Sequence, residues 1–141
     1  MTLRKPKKSS SSSPTQTSFI HFCDHASMTT DGKFNLCGIF EALFAHEMPF
    51  HHPQMFVLTR FEFPKGPHEI KMVLMQEDRV LTRAEFNRTS EKDEPQNHIW
   101  GVYNLTAENF SPIELKIFDS GLLISERTLP IYRLPKPFKK T

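Results

Sequence analysis

The feature that most constrains this chain is the two-residue alternation of apolar and polar side chains, repeated in short segments between Phe19 and Leu134. Phe34, Leu36, Gly38 and Phe40 fall on one parity, and Lys33, Asn35 and Cys37 on the other, directly behind Asp31-Gly32. A period of two belongs to a pleated strand with one face buried and the other wet. Turn residues punctuate these segments every 8–12 positions or so, as antiparallel sheets require.

The alternation predicts eight strands: Ser18 to His25, Lys33 to Phe40, Met55 to Phe63, His68 to Gln76, Val80 to Asn87, His98 to Leu105, Ile113 to Phe118 and Leu122 to Leu129. Asp119-Ser120-Gly121 reads as a three-residue hairpin turn with Gly last. Residues 41–47 consist of good helix formers, yet Ala42 and Phe44 continue the parity of Phe34 to Phe40, so a long bent strand fits better. No stretch supplies the helix of a parallel crossover. The expected fold is all-β: an antiparallel β-sandwich of about eight strands, immunoglobulin-like or C2-like. An even number of alternating strands also places both chain ends on the same end of the domain.

Thirteen Phe against five Gly suit half-buried sheet surfaces, and eleven Pro suit strand ends and edges. The formal charge of +2 is unevenly placed. Arg4, Lys5, Lys7 and Lys8 precede the first strand and Lys136, Lys139 and Lys140 follow the last, so the body alone carries −5. Residues 1–16 therefore read as a disordered, basic, Ser-rich tail, 17–134 as the sandwich and 135–141 as a basic C-terminal tail. An acidic body is a poor platform for phosphates, so nucleic acid is an unlikely partner except through the tails. No apolar run reaches the roughly 20 residues of a membrane-spanning helix. Ser9 to Ser13 and Pro14 occupy the place of a signal's apolar core, so the expected location is cytoplasmic.

The candidate chemistry is sparse. His21 and His25 share a strand face about 13 Å apart, too far to share one zinc ion. His46, His51 and His52 lie closer together in a Pro-flanked loop and are weak metal candidates, with Asp24 or Glu47 as further ligands and no motif fixing a fourth. Asp24, Asp31, Asp78 and Asp119 stand near strand ends, but each loop offers too few oxygens for calcium. No nucleophile elbow, phosphate-binding glycine loop or framed carboxylate pair occurs. Cys23 and Cys37 face away from Phe22, Phe34 and Leu36, and whether they pair stays open. Trp100 and Tyr103 have opposite parity, so one is expected to be buried and the other to show as a protein-contact anchor.

Cys23-Asp24-His25, Asp31-Gly32-Lys33, Gly38-Ile39-Phe40 and Pro49, with the closing segments Ile113 to Phe118 and Leu129-Pro130-Ile131, resemble a family of small uncharacterised bacterial proteins. The resemblance spans most of residues 18–131. It implies a compact β-sandwich with no assigned activity, and no catalytic residues come with it.

Together these readings predict a non-catalytic module, without cofactor, that binds a protein partner or another copy of itself through a strand edge or loop end. Trp100 and Tyr103 are its candidate contact residues. Two alternatives remain. One is an accessory subunit held on a larger membrane or nucleic-acid complex by Lys5, Lys7, Lys8, Lys136, Lys139 and Lys140. The other is a metal-dependent enzyme built on His46, His51 and His52.

Overall fold

The computed structural model describes residues 14–135. It contains ten strands and no helix among them. These are β1 (Gln16–Met28), β2 (Phe34–Phe40), β3 (Leu43–Ala45), β4 (Phe50–Phe63), β5 (Gly66–Gln76), β6 (Arg79–Ser90), β7 (Glu94–Ala107), β8 (Ile113–Asp119), β9 (Leu122–Leu129) and β10 (Ile131–Arg133).

Two antiparallel sheets pack face to face. One has the order β9-β8-β5-β6, the other β2-β1-β4-β7, and β3 and β10 form a separate parallel ribbon. All eight strands expected from the alternation are present, and the all-β sandwich is the fold. The facing sides bury Ile70, Met72, Leu74, Leu115 and Ile117 against Phe22, Met55, Val57, Phe61, Trp100 and Val102. Burying each such side chain is worth about 1.5–3 kcal/mol. The sandwich also starts slightly earlier than composition suggests: Gln16 opens β1 and Thr15 is buried.

Residues 41–47 depart from the expected bent strand. The strand breaks at Glu41-Ala42, and β3 then buries Leu43 and Ala45 while exposing Phe44, the reverse of the parity carried by β2. The cause is the change of partner. β2 is bonded to β1, whereas β3 pairs in parallel with β10, Phe44 opposite Tyr132. A turn with a cis Met48–Pro49 peptide then leads into β4.

β3 also overturns the expected placement of the chain ends. Both β2 and β4 run antiparallel to β1, so the chain must travel back up between them, and β3 is that return. Thr15 consequently lies beside Asp119 at the last residue of β8. Leu134 bonds Ala45, and Arg133 sits over Phe110 just before β8 begins. The two ends of the described chain leave the sandwich from opposite ends, so the basic segments beyond them do not start from one patch.

A second irregularity lies where β4 faces β7. Met55 and Val102 face the core, as do His52 and Leu105, although each stands three positions, an odd step, from its neighbour in the same strand. Pro53 and Asn104 stand opposite each other in this step, and Asn104 has φ 58°. Both strands reverse their faces together, so the register survives.

The loop before β8 is fastened from within. Gln76, 1 % exposed, donates through Nε2 to the carbonyls of Asn109 and Ser111 at 2.8 Å each and accepts from the Glu108 N–H at 3.2 Å. One side chain thereby satisfies three backbone groups that a buried loop would otherwise leave unpaired.

Candidate functional site

The outer faces of the two sheets differ sharply. On the β9-β8-β5-β6 sheet, opposite charges meet across strands, Lys71 against Glu85 and Lys116 against Glu126, with Arg83 opposite Val73. Lys71 lies on a central strand, within a charged face, and Arg83 and Glu85 stand on an edge strand, β6. A lattice of alternating charge is a solvated surface.

The outer face of the other sheet carries apolar rows among polar residues such as Asn35 and Gln54. Ile39, Cys23, Phe56 and Gly101 form one row across β2, β1, β4 and β7, with His21, Leu58 and Ile99 in the next. The charged side chains at outward register positions of this sheet are Arg60 and Glu62, bonded to each other at 3.2 Å. Cys23 and Leu58 are buried although they point away from the core, because neighbouring side chains close over them. Tyr103 lies over Gly101, where a Cβ would meet its hydroxyl at 2.9 Å and Phe56 at 3.1 Å. Its ring stands edge-on to Phe56 at 6.1 Å, and Phe56 meets His25 at 5.3 Å. Tyr103 is 58 % exposed and Trp100 is buried, so this pair divides between surface and core as its parity requires.

This sheet ends at β2. Its residues Phe34–Phe40 include no proline and no charge, and Asn35, Cys37, Gly38 and Ile39 are exposed. The other outer strands of the two sheets carry guards: Glu94 and Pro95 in β7, Glu126 and Arg127 in β9, and Arg79, Arg83, Glu85 and Arg88 in β6. Beyond the Phe40 end of β2 lies a pocket of about 330 Å³ lined by Ile20, Phe22, Ile39 and Phe40 together with Glu41 and Arg127.

Gly38 interrupts the regularity of β2 with φ 68°, opposite Asp24 in register. A Cβ at that position would lie 2.9 Å from Cγ and 3.1 Å from Cβ of Asp24, so the glycine is a steric requirement of the aspartate above it. Asp24 and Gly38 both belong to the sequence pattern that carries the family resemblance.

The histidine candidates do not converge. His51 and His52 belong to β4 rather than to a loop tip. His51 is exposed, with Nδ1 3.0 Å from the Thr106 hydroxyl. His52 turns inward beside Phe40 and Phe50, its Nε2 buried without a partner. Desolvation holds the His52 imidazole below its usual pKa, opposed by the Asp24 charge. His46 sits in the turn before β4, its carbonyl accepting from Arg133 at 3.4 Å. Among the described residues no group of three or more His, Cys, Asp or Glu side chains is placed to hold a metal ion. His98, stacked on Phe86 at 4.4 Å, is likewise pushed down by desolvation.

Cys23 and Cys37 are both free thiols, the first buried and the second exposed. Burial chiefly raises the Cys23 thiol; the Asp24 and Cys37 charges add to the rise, and a hydrogen bond from the His25 backbone opposes it. Lys5, Lys7, Lys8, Lys136, Lys139 and Lys140 lie outside the described residues.

One constellation escapes sequence reading altogether. Thr15, His68 and Asp119 meet at the end of the sandwich where β1 begins, with the Thr15 hydroxyl donating to Asp119 Oδ2 at 2.5 Å and His68 Nδ1 2.7 Å from the same oxygen. It resembles a hydroxyl–imidazole–carboxylate triad in composition but not in wiring. A nucleophile would need the ring nitrogen not facing the carboxylate, and here that nitrogen, Nε2, is 2.7 Å from the Pro64 carbonyl. The three residues fasten the fold; they do not activate the hydroxyl. More than fifty positions separate each of Thr15 and Asp119 from His68, so no local pattern marks them.

Residues 18–131 match the model of a family of unknown function, DUF6941, and the chain belongs to that family. No curated protein matches it. No helix among the described residues is long and apolar enough to cross a membrane.

Proposed function

We propose that this member of the family is a non-catalytic binding module that takes up an extended segment of a partner protein along the free edge of β2. The observation that carries this reading is the chemistry of that edge. Proteins protect outer strands with charges, prolines or covering elements, because an open row of N–H and C=O groups invites pairing with another chain. Among the described residues, β6, β7 and β9 have such protection and β2 lacks it.

The surroundings of β2 support the same reading. An added strand would run beside Ile39, 55 % exposed, and extend the row Ile39, Cys23 and Phe56 on the outer face. The pocket beyond Phe40 would receive one apolar side chain of the incoming segment. Main-chain pairing supplies affinity in this mode, and pockets for alternate side chains supply selectivity. The positive φ at Gly38 divides the edge, so the partner pairs with Phe34 to Cys37 and then bends toward the pocket.

The test is selection of a displayed peptide library on the full-length protein. Enriched peptides are expected to alternate apolar and polar residues, and to shift the amide resonances of Asn35 and Cys37. Asn35→Pro with Cys37→Lys is expected to weaken them at least tenfold, while Arg83→Ala on the charged sheet leaves them unchanged. Enrichment that survives the double substitution, or resonance shifts confined to the other sheet, refutes edge addition.

A further inference from the structure

We propose that Thr15, His68 and Asp119 form a proton-operated latch that holds the beginning of β1 against the opposite sheet. The argument starts from the two nitrogens of His68. Nδ1 is 2.7 Å from Asp119 Oδ2 and Nε2 is 2.7 Å from the carbonyl oxygen of Pro64. A carbonyl oxygen and an ionised carboxylate only accept hydrogen bonds, so both nitrogens must donate, and an imidazole donates twice only as the imidazolium.

The surroundings of Asp119 favour the carboxylate over the arrangement in which the carboxyl holds the proton and donates to Nδ1. Burial raises its pKa, but hydrogen bonds from Thr15, His68 and Ser120 and the His68 charge outweigh that, and the net shift is downward. The pair is well enclosed, with side chains 9 % and 11 % exposed. Its contact is therefore a charge-assisted one, shielded from water on most sides.

Among the described residues no other titratable group competes for His68. Arg88, its register partner on β6, is bonded to Glu94 of β7 and stands over the Phe63 ring at 5.7 Å. Phe63 of β4 covers the imidazole at 5.0 Å. From the β8 turn comes the Ser120 hydroxyl, which donates to Asp119 Oδ1 at 3.1 Å. From the strand β1 side comes Thr15, whose hydroxyl touches both members, 2.5 Å from the carboxylate and 3.3 Å from Nδ1. Among the described residues Asp119 is thus the one ionised partner of the ring.

Thr15 gives the latch its consequence. It immediately precedes β1, and its hydroxyl joins that point of the chain to β5 and β8 in the facing sheet. The closed latch holds one proton more than a neutral imidazole. Raising the pH removes it and sets a nitrogen lone pair against either the carbonyl or the carboxylate. Lowering the pH far enough to protonate Asp119 removes the other half. The latch is closed between these limits, and the start of β1 is released outside them.

The experiment uses the full-length protein labelled with ¹⁵N. Long-range proton–nitrogen correlation is expected to show two N–H groups on His68 while the latch is closed and one once it is opened by raising the pH. Over the same range, hydrogen exchange at Gln16 to Phe19, corrected for intrinsic base catalysis, is expected to accelerate on the order of tenfold, the equivalent of one lost charged hydrogen bond. His68→Gln is expected to abolish that acceleration. Thr15→Val, which leaves the ion pair intact, is expected to keep two N–H groups on His68 while making exchange at β1 fast at every pH. A single N–H on His68 throughout, or acceleration that persists in either variant, overturns the latch.

Discussion

Replacing Gly38 by alanine tests the central steric claim about β2. The residue has φ 68°, a conformation costing a non-glycine residue about 1–2 kcal/mol. The new methyl would also stand 2.9 Å from Asp24 Cγ, which must swing away at a cost of about 0.5–1.5 kcal/mol for an off-rotamer side chain. Gly38→Ala is therefore expected to lose roughly 1.5–3.5 kcal/mol, a fall in Tm of about 3–5 °C for each kcal/mol in a domain of this size. The two contributions separate in a double-mutant cycle. Asp24→Ala removes the crowding but not the backbone penalty, so the double variant is expected to recover about 0.5–1.5 kcal/mol relative to the sum of the single changes. Urea unfolding of the four proteins measures all of this, provided m-values stay constant. A loss below about 0.5 kcal/mol in Gly38→Ala, or additivity of the two changes, refutes the claim that aspartate and glycine are there for each other.

Trp100→Ala is expected to cost about 3–5 kcal/mol by thermal or urea unfolding, whereas Tyr103→Ala costs under about 1 kcal/mol. Gln76→Ala strands three backbone groups and is expected to cost roughly 2–4 kcal/mol, with exchange accelerated at Glu108 and Ser111. Alkylation followed by mass spectrometry is expected to modify Cys37 in the native protein and Cys23 only on unfolding, since burial both shields Cys23 and raises its thiol. Asp119 is held below the usual carboxylate range, so its contribution to stability is complete above the unfolded carboxylate pKa and disappears as pH falls through the lower folded value. Asp119→Asn is expected to flatten the acid limb of a stability–pH curve, and an unchanged limb in that variant counts against the assignment.

The eight main strands were legible because each obeys a two-residue rhythm that needs no knowledge of its partner. β3 was not, because its buried positions are set by β10, some ninety residues away, and not by continuation of β2. The joint reversal of β4 and β7 at Pro53 and Asn104 hid for a similar reason: each strand alone shows an unexplained slip, and only their pairing makes it a bend. At the candidate site, the opposed parities of Trp100 and Tyr103 correctly divided core from surface. The assumption that the outward face of every strand is wet failed at Cys23 and Leu58, since alternation cannot reveal that neighbouring strands cover them. The chemistry of the β2 edge, by contrast, can be read directly from Phe34 to Phe40 once that strand is known to be outermost.

The parallel ribbon of β3 and β10 also bears on biosynthesis. While the chain is being translated, Leu43 and Ala45 have no strand to lie against until Ile131 to Arg133 clear the ribosome. Closure of that end is thereby deferred until every other strand of the domain has emerged, and a ribosome stalled anywhere before Ile131 would present an unfinished domain with an apolar seam open to chaperones.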